Sequence, residues 1–560
     1  MTARRLAFLA LCLAAGLLLV GTAASLVAPG GIGILDALWL LLLLPLSLYA
    51  ALGMGNAVIG LGLLLFARDP AAAVLPALRR APQDPASRTA IAVCLRHEEM
   101  AAVAPPLEAL MDGLPAAHFD LWFLSDSSAP DAVAAEDAAI AALRARLPGR
   151  VHLRRRAKNT GFKAGNVMEF LDHEGQGYDF LLCLDADSVM SAEAVVTLAA
   201  SMEAAPRIAI IQQLIVGRPV AAVFPRLFQF GMRAGMRSWS VGQGWWQGPE
   251  GPYWGHNALI RIAPFREHGR LEPLPDGSAI LSHDQVEAVR LHSAGWQVWC
   301  LPEERGSLEG NPPALPEFLA RDVRWAAGNM QYLALLRQPG LSPMGRWQLL
   351  QAILLFLCAP IWAGFFALAA IIAATGGFDG TGTAALLGFF LLFWVMQFSP
   401  KLAGYTQVLL QPGQAARYGG RGRFARGAGM ELLFWTVLQA LRVVHHSGFL
   451  IGLAMGRRGA GWGAQNRAER GIGWWDATRL FWPHTLVGVA AFAALALAAP
   501  WTIPFALPWA GGLLLAIPFC RATAHPGLAQ WLRARGLAAT PEEVQAGEVQ
   551  ARSAPGSAAA

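Results

Sequence analysis

Residues 178–194 read YDFLLCLDADSVMSAEA, and this stretch decides the fold. Five largely apolar residues, Phe180 to Leu184, run into Asp185 and, one residue further, Asp187. A short apolar run bounded by turn residues fits a fully buried strand. A buried carboxylate left unpaired is costly, so a core strand ending in two acids needs a positive partner, either an arginine or a bound metal. Carboxylates two apart share one face of a strand. Oxygen ligands of this type suit Mg2+ or Mn2+, above all where phosphate oxygens complete the shell. A D-x-D alone is weak evidence, and an internal ion pair explains it as well.

Working outward, further strand-like runs occupy residues 89–95, 121–125, 151–155, 208–213, 258–262 and 297–301, beside 179–185. Helical patterns at 133–147, 164–173 and 192–204 separate several of them. This alternation predicts an α/β domain with a mainly parallel sheet. Such sheets bind ligands beyond the carboxyl ends of their strands. Asp126 and the pair Asp185 and Asp187 fall at two such ends.

Three other segments carry chemistry. RRRAKNTGFKAGNVMEF (154–170) sets Arg154, Arg155, Arg156, Lys158 and Lys163 around a glycine turn that enters a helix. That arrangement is either an anion site or a solvated basic loop. One helix before the two acids, it suggests a diphosphate held between cations and a metal. ILSHDQVEAVRLHSAGWQVW (280–299) places Asp284 at a helix start, where an acid also stabilises the helix dipole. His283 beside it either tunes that acid or is a surface histidine. FLARDVRWAAGNMQY (318–332) puts Arg321, Arg324 and Trp325 on one helix face. There the arginines could grip phosphate bidentately and the ring could stack on a sugar, or the three could form an interfacial belt.

Composition sets the frame. The chain has 560 residues, 55% hydrophobic and only 15% charged, with a net charge of +6. That is too apolar for a wholly soluble protein. Residues 6–28 and 37–66 are uncharged and long enough to cross a bilayer. The basic MTARR before them keeps the N-terminus inside, although small residues at 21–25 also fit a cleaved signal peptide. Further apolar spans cover about 349–374, 384–398, 432–455, 485–499 and 503–519. The expected organisation is 1–67 as a membrane region, 68–348 as a cytoplasmic α/β domain, 349–520 as a second membrane region and 521–560 as a largely disordered cytoplasmic tail. Basic segments at 417–427 and 456–470 flank a single span, so simple alternation cannot place both inside. One of these spans is therefore interfacial, re-entrant or split. The six cysteines form no C-x-x-C pair, which argues against structural zinc. No basic–aromatic module of the nucleic-acid-binding kind is present.

The order FLSDSS, KAGN, DAD, HD and R-x-x-R-W resembles that of the membrane-embedded family 2 glycosyltransferases. GPYWGHNALIR (251–261), LSHDQVEA, RDVRWAAGN and WGAQNRAERGIGWWDA (462–477) look most like the branch that makes osmoregulated periplasmic glucans. The resemblance implies an α/β GT-A (Rossmann-like) catalytic domain inserted between α-helical transmembrane regions of a cell inner-membrane protein. It implies UDP-glucose as donor, a growing β-1,2-linked glucan as product, Mg2+ or Mn2+ as cofactor, and a periplasmic glucan-processing protein as a partner. Asp284 would be the general base. Asp126 would contact uridine, while Lys163, Asp185, Arg321 and Arg324 would hold the donor. Asp185 and Asp187 would meet the metal, with Asp187 as the direct ligand. Trp325, Trp254, His256 and Asn257 would face the acceptor. One departure concerns the uracil pocket: the asparagine usual before a glutamate after the first strand is here His97, followed by Glu98. Two rival readings stand beside this one: a synthase making a β-1,4 or β-1,3 chain, and a non-catalytic transporter or sensor with a nucleotide-sugar-binding domain.

Overall fold

The computed structural model describes residues 2–80, 84–378, 380–457 and 469–553. Its centre is a seven-stranded sheet built from the seven runs expected of it: β1 (Thr89–Leu95), β2 (Phe119–Ser125), β3 (Val151–Arg155), β4 (Phe180–Asp185), β6 (Ile208–Gln213), β8 (Ala258–Arg261) and β9 (Gln297–Leu301). The order is β3-β2-β1-β4-β8-β6-β9. Alternate side chains of each strand feed two cores. Ile91, Val93, Phe123 and Leu182 enter one, and Ala90, Ala92, Leu181 and Cys183 enter the other. Both faces of the central strands are covered, and β1 and β4 are near-continuous apolar runs.

The sheet departs from a purely parallel one at β8, which runs antiparallel to both β4 and β6. Three short strands escaped the sequence reading. β5 (Val189–Met190), β7 (Val216–Gly217) and β10 (Ser307–Glu309) form a second sheet in the order β5-β10-β7, which shapes the ground beside Asp187. Chain order reverses between β1 and β4. This switch opens the crevice at the carboxyl ends where a ligand is expected.

Long helices flank the domain on either side in sequence. We label those used below α1 (Thr2–Val27), α2 (Ile34–Phe66), α3 (Phe162–His173), α4 (Val223–Gln247), α5 (Asp284–Ser293), α6 (Leu315–Leu335), α7 (Pro343–Ala374), α8 (Thr383–Leu410), α9 (Arg421–Ala454) and α10 (Trp474–Ala498). Among the described residues, six helices are long and apolar enough to cross a membrane: α1, α2, α7, α8, α9 and α10. A pair bent by 59°, Pro500–Leu514 with Ala516–Thr523, adds up to one more. α1 packs along α2, with Phe8, Cys12 and Leu19 in one buried cluster with Leu43 and Leu46.

α4 joins the two regions. Glycines let it approach its neighbours closely: a Cβ at Gly60 of α2 would lie 1.7 Å from the carbonyl oxygen of Ser238, and one at Gly404 of α8 would lie 2.2 Å from that of Ala234. Small residues at such crossings allow backbones to pack closely. α9 differs from the other long helices in its polar content. Arg442 donates from Nε to Oδ2 of Asp322 on α6 at 3.2 Å, and Glu431 is fully buried against Lys401 and Tyr405 of α8. Near its other end, Leu450 packs with Ala326 and Phe356.

The tail expected to be largely disordered carries helices at Pro526–Ala534 and Pro541–Ser553. The second of these is anchored on α4, where Arg233 donates to Glu542 at 2.6 and 2.9 Å and Arg226 donates to Glu543 at 3.0 Å. Both arginines are buried, and their charges require these partners.

Candidate active site

The site begins at the ends of β1 and β2. The N–H of His97 donates to Ser127 Oγ at 2.7 Å, and His97 Nε2 accepts from the N–H groups of Ser128 and Ala129 at 3.0 and 3.2 Å. The histidine that replaces the expected asparagine thus pins the loop carrying Asp126. Glu136, 0% exposed, fastens the same loop by accepting from Ser125 Oγ at 2.7 Å, from Ser127 Oγ, and from Arg155 at 3.0 Å. Asp126 receives the fork of Arg156, with Nη2 donating to Oδ2 at 2.9 Å and Nε to Oδ1.

The three consecutive arginines do not form the expected cradle for a diphosphate. Arg154 donates to Asn166 at 2.8 Å and pairs with Glu169. Arg155 is held by Glu136 and Asp137, and Arg156 by Asp126. Arg156 also donates to the carbonyl oxygens of Thr160 and Phe162 at 2.9 and 2.8 Å, which shapes the glycine turn. Gly161 sits there at φ +71, and a Cβ at Gly165 would lie 2.0 Å from Thr160 O. Both glycines of the G-F-K-A-G segment are therefore required by backbone conformation or by contact.

Lys163 on α3 is the cation that reaches the two acids. Its Nζ pairs with Asp185 and donates to Gly255 O at 2.7 Å. Burial alone would lower its pKa, but the Asp185 carboxylate outweighs it and the ammonium is held well above its usual range. Asp185 closes a turn in which its N–H donates to Ser188 Oγ at 3.1 Å. Asp187 lies beside Gly310, where an added Cβ would be 2.9 Å from its Oδ2.

Glu309, next to Gly310, was not singled out from the sequence. Its Oε2 is 3.4 Å from His256 Nε2. Burial raises its pKa, against the pull of His256 and Arg321, and Asp187 and Asp185 add to the rise. Nothing in S-L-E-G-N marks this acid, because it enters the site only through the pairing of β10 with β5 and β7. Among the described residues, no group of three or more His, Cys, Asp or Glu side chains could hold a metal ion by itself. Two carboxylates at the cavity edge suit an ion whose remaining oxygens come from a bound diphosphate.

The opposite wall is helical. Asp284 opens α5 against Gly255, where an added Cβ would be 3.5 Å from its Oδ2. Arg321 of α6 lies over the Trp325 ring at 4.3 Å, its Nε has no hydrogen-bond partner, and burial lowers its pKa. Burial, then the neighbouring Arg321 charge, likewise lowers the pKa of Arg324. Trp325 is 40% exposed. The same helix clamps the loop leading to Asp284. Tyr332 Oη donates to Ser282 O at 2.8 Å, Gln331 accepts from the Leu281 N–H at 2.8 Å, and a Cβ at Gly328 would strike Ser282 Oγ at 2.2 Å.

A single cavity of about 1370 Å³ touches nearly all of these groups: Asp126, Lys163, Asp185, Asp187, Trp254, His256, Asp284, Arg321, Arg324 and Trp325 line it. Asn257 does not. It is fully buried, and its amide donates to Ser307 Oγ at 2.9 Å and Leu308 O at 3.3 Å, beneath the site. The cavity continues between the long helices past Tyr49, Trp239, Gln243, Trp435 and Trp509. The R-A-E-R-G segment at 467–471 contributes only its described end, where Glu469 lines the cavity and Arg470 donates to Glu317 at 2.8 Å. Residues 462–468 of the motif lie outside the described residues.

Comparison with known proteins agrees with this geometry. The family described as "Glycosyl transferase family group 2" matches residues 180–397. The chain is 33% identical over 556 residues to the glucans biosynthesis glucosyltransferase H of Caulobacter vibrioides (strain NA1000 / CB15N), covering 92% of this chain and 81% of that one. It is 30% identical over 554 residues to the protein of the same name from Xylella fastidiosa (strain 9a5c), covering 94% and 86%. Among solved structures, a mannosyltransferase from Pyrobaculum calidifontis in complex with GDP-Man and Mn2+ is similar at 15% identity and a TM-score of 0.41, covering 65% of this chain and 99% of that one. The ordered strand-end acids, the helix-borne arginines and the likeness to the Caulobacter and Xylella proteins over nearly the whole length lead to one conclusion: the chain is a family 2 glycosyltransferase and belongs to the glucans biosynthesis glucosyltransferase H family.

Proposed function

We propose that the chain is an inverting glucosyltransferase of the inner membrane that uses UDP-glucose to extend the β-1,2-linked backbone of osmoregulated periplasmic glucans. The observation that carries this reading is the one cavity on which strand-end acids, Asp284 and the Arg–Trp helix converge. Asp284 accepts a proton from an acceptor hydroxyl as that oxygen attacks the anomeric carbon of glucose. The bond to UDP breaks on the opposite side, so an α-linked donor gives a β-linked product. Lys163, Arg321 and Arg324 offset the charge that grows on the departing diphosphate. Asp187, with Asp185, would hold Mg2+ or Mn2+. When bound, such an ion acts as a Lewis acid towards diphosphate oxygens. Trp325, Trp254 and His256 line the space for the acceptor sugar.

In this reading residues 68–348 are the cytoplasmic catalytic domain, and 1–67 and 349–520 are its membrane regions. α9 lies along the membrane interface rather than crossing it. Its pairing with Asp322 on α6 supports this placement, because it ties the middle of α9 to the catalytic domain. Both basic segments flanking α9 then face the cytoplasm, as the positive-inside rule requires. The extension of the cavity between the helices supports passage of the growing glucan through them.

The deciding experiment is UDP release by purified protein with UDP-glucose and Mg2+, followed by linkage analysis of the glucan. Asp284→Asn is expected to slow release by about 10³-fold. An unchanged rate would remove the base assignment, β-1,4 or β-1,3 linkages would replace the product assignment, and wild-type protein without turnover would favour the sensor reading. For passage, sealed proteoliposomes supplied with UDP-glucose outside should accumulate glucan inside. Strictly external glucan would count against it.

A further inference from the structure

His283 borders the cavity immediately before Asp284. Its Nδ1 lies 3.0 Å from Oε2 of Glu287, one turn along α5. The glutamate side chain is 3% exposed and the histidine side chain 18%. Glu287 has no role in the chemistry derived above, and a charge so deeply buried needs a partner. The charged groups that act on the ring are Glu287 and Asp284 from α5 and Lys163 from α3. Tyr332 of α6 and Tyr253 of the loop after Gln247 stand close to the same two acids. Burial works against a charged ring here, yet the Glu287 carboxylate, by charge and by hydrogen bond, holds the His283 pKa above its ordinary value. A charged imidazole carries a hydrogen on each nitrogen. Glu287 takes the one on Nδ1, which leaves Nε2–H for a ligand.

We propose that His283 is an acceptor-binding residue whose ring, fixed through Nδ1 by Glu287, offers Nε2–H to the sugar hydroxyl adjacent to the one that Asp284 deprotonates. An accepting carboxylate and a donating ring side by side match a vicinal diol, the arrangement found at the end of a β-1,2-linked glucan. The inference rests on Asp284 as the general base. It also explains why the acid is flanked by an ion pair, His283 before it and Glu287 after it: Glu287 sets the angle of the ring and its charge, and is a positioning residue.

The two amide substitutions of histidine separate binding from mere support of the helix start. In His283→Asn the side-chain amide replaces Nδ1, and in His283→Gln it replaces Nε2. With full-length protein, UDP-glucose and a β-1,2-linked glucotriose as acceptor probe, His283→Asn is expected to raise the acceptor KM about tenfold. His283→Gln should raise it less, about threefold, with the KM for UDP-glucose unchanged in both; the thermal midpoint should hold in His283→Asn and fall in His283→Gln, which leaves the buried Glu287 without its Nδ1 partner. In the wild type, acceptor kcat/KM should fall as pH rises through the raised His283 pKa. Glu287→Gln should move that fall to lower pH, and both His283 variants should lack it. A His283→Asn protein that binds acceptor as well as or better than His283→Gln, or a basic limb that survives in both, overturns the proposal. An Asp284→Asn protein that still turns over removes the base reading itself, whereas inactive Asp284→Asn with unaltered His283 variants removes the proposal alone.

Discussion

At the strand ends, acids meet cations of the same chain. Asp126 holds both arms of Arg156, with side chains 7% and 3% exposed, and Asp185 holds Lys163. Across the cavity on α6, Arg321 rests on an aromatic ring, with Asp322 3.9 Å away and no hydrogen bond at Nε. The sheet side is balanced before any ligand arrives, while the helix side carries positive charge that a diphosphate could satisfy. The first arrangement fixes loops, and in the proposed reading the second reserves binding energy for the leaving group.

Substitution should expose this contrast. Arg156→Ala strands a buried Asp126 and undoes the glycine turn, so a loss of about 3 kcal/mol in thermal stability is expected. A thermal midpoint close to wild type would show that Asp126 is not held as described. Arg321→Ala should leave the midpoint in place and cut UDP release about 10²-fold. Arg321→Lys should recover only part, because a point charge lacks the planar fork. If Arg321→Ala unfolded the protein instead, the helix side would be structural like the sheet side. Lys163→Met lies between, with partly exposed partners and a role on both sides. A fall in kcat/KM of about tenfold with a small thermal shift is expected. Finally, UDP should raise the thermal midpoint of the wild type by a few degrees and that of Arg321→Ala by less, which differential scanning fluorimetry resolves.

All seven strands of the main sheet could be read from the sequence; six of them are short, largely apolar and buried runs closed by turn residues, and the edge strand β3 (VHLRR) is the half-buried exception. The reversed direction of β8 could not be read, since periodicity carries no direction. β5, β7 and β10 are two or three residues long, too short for a pattern. α4 was not among the helices assigned from the sequence: Arg226, Arg233 and its repeated glycines interrupt the apolar pattern, whereas in the fold the tail covers the arginines and the glycines admit neighbouring helices. The residue types of the site could be read, but the pairing could not. RRRAK offered several cations for Asp185, and only the helix geometry selected Lys163, eight residues beyond Arg155 and on the far side of the turn. Glu309 and Glu287 stayed hidden because one arrives through a long-range strand pairing and the other looks like an ordinary helix acid.

α6 has a consequence for how such an enzyme could advance its product. Arg321 and Tyr332 are eleven residues apart on this one helix, about three turns. In the proposed reading one end of the helix faces the leaving group, and its other end grips the loop that leads to Asp284. Any shift of α6 along its axis, driven for instance by α9 through Asp322, carries both chemical ends together. In such a shift the two ends would keep their mutual alignment, as a gauge block moves without changing its length.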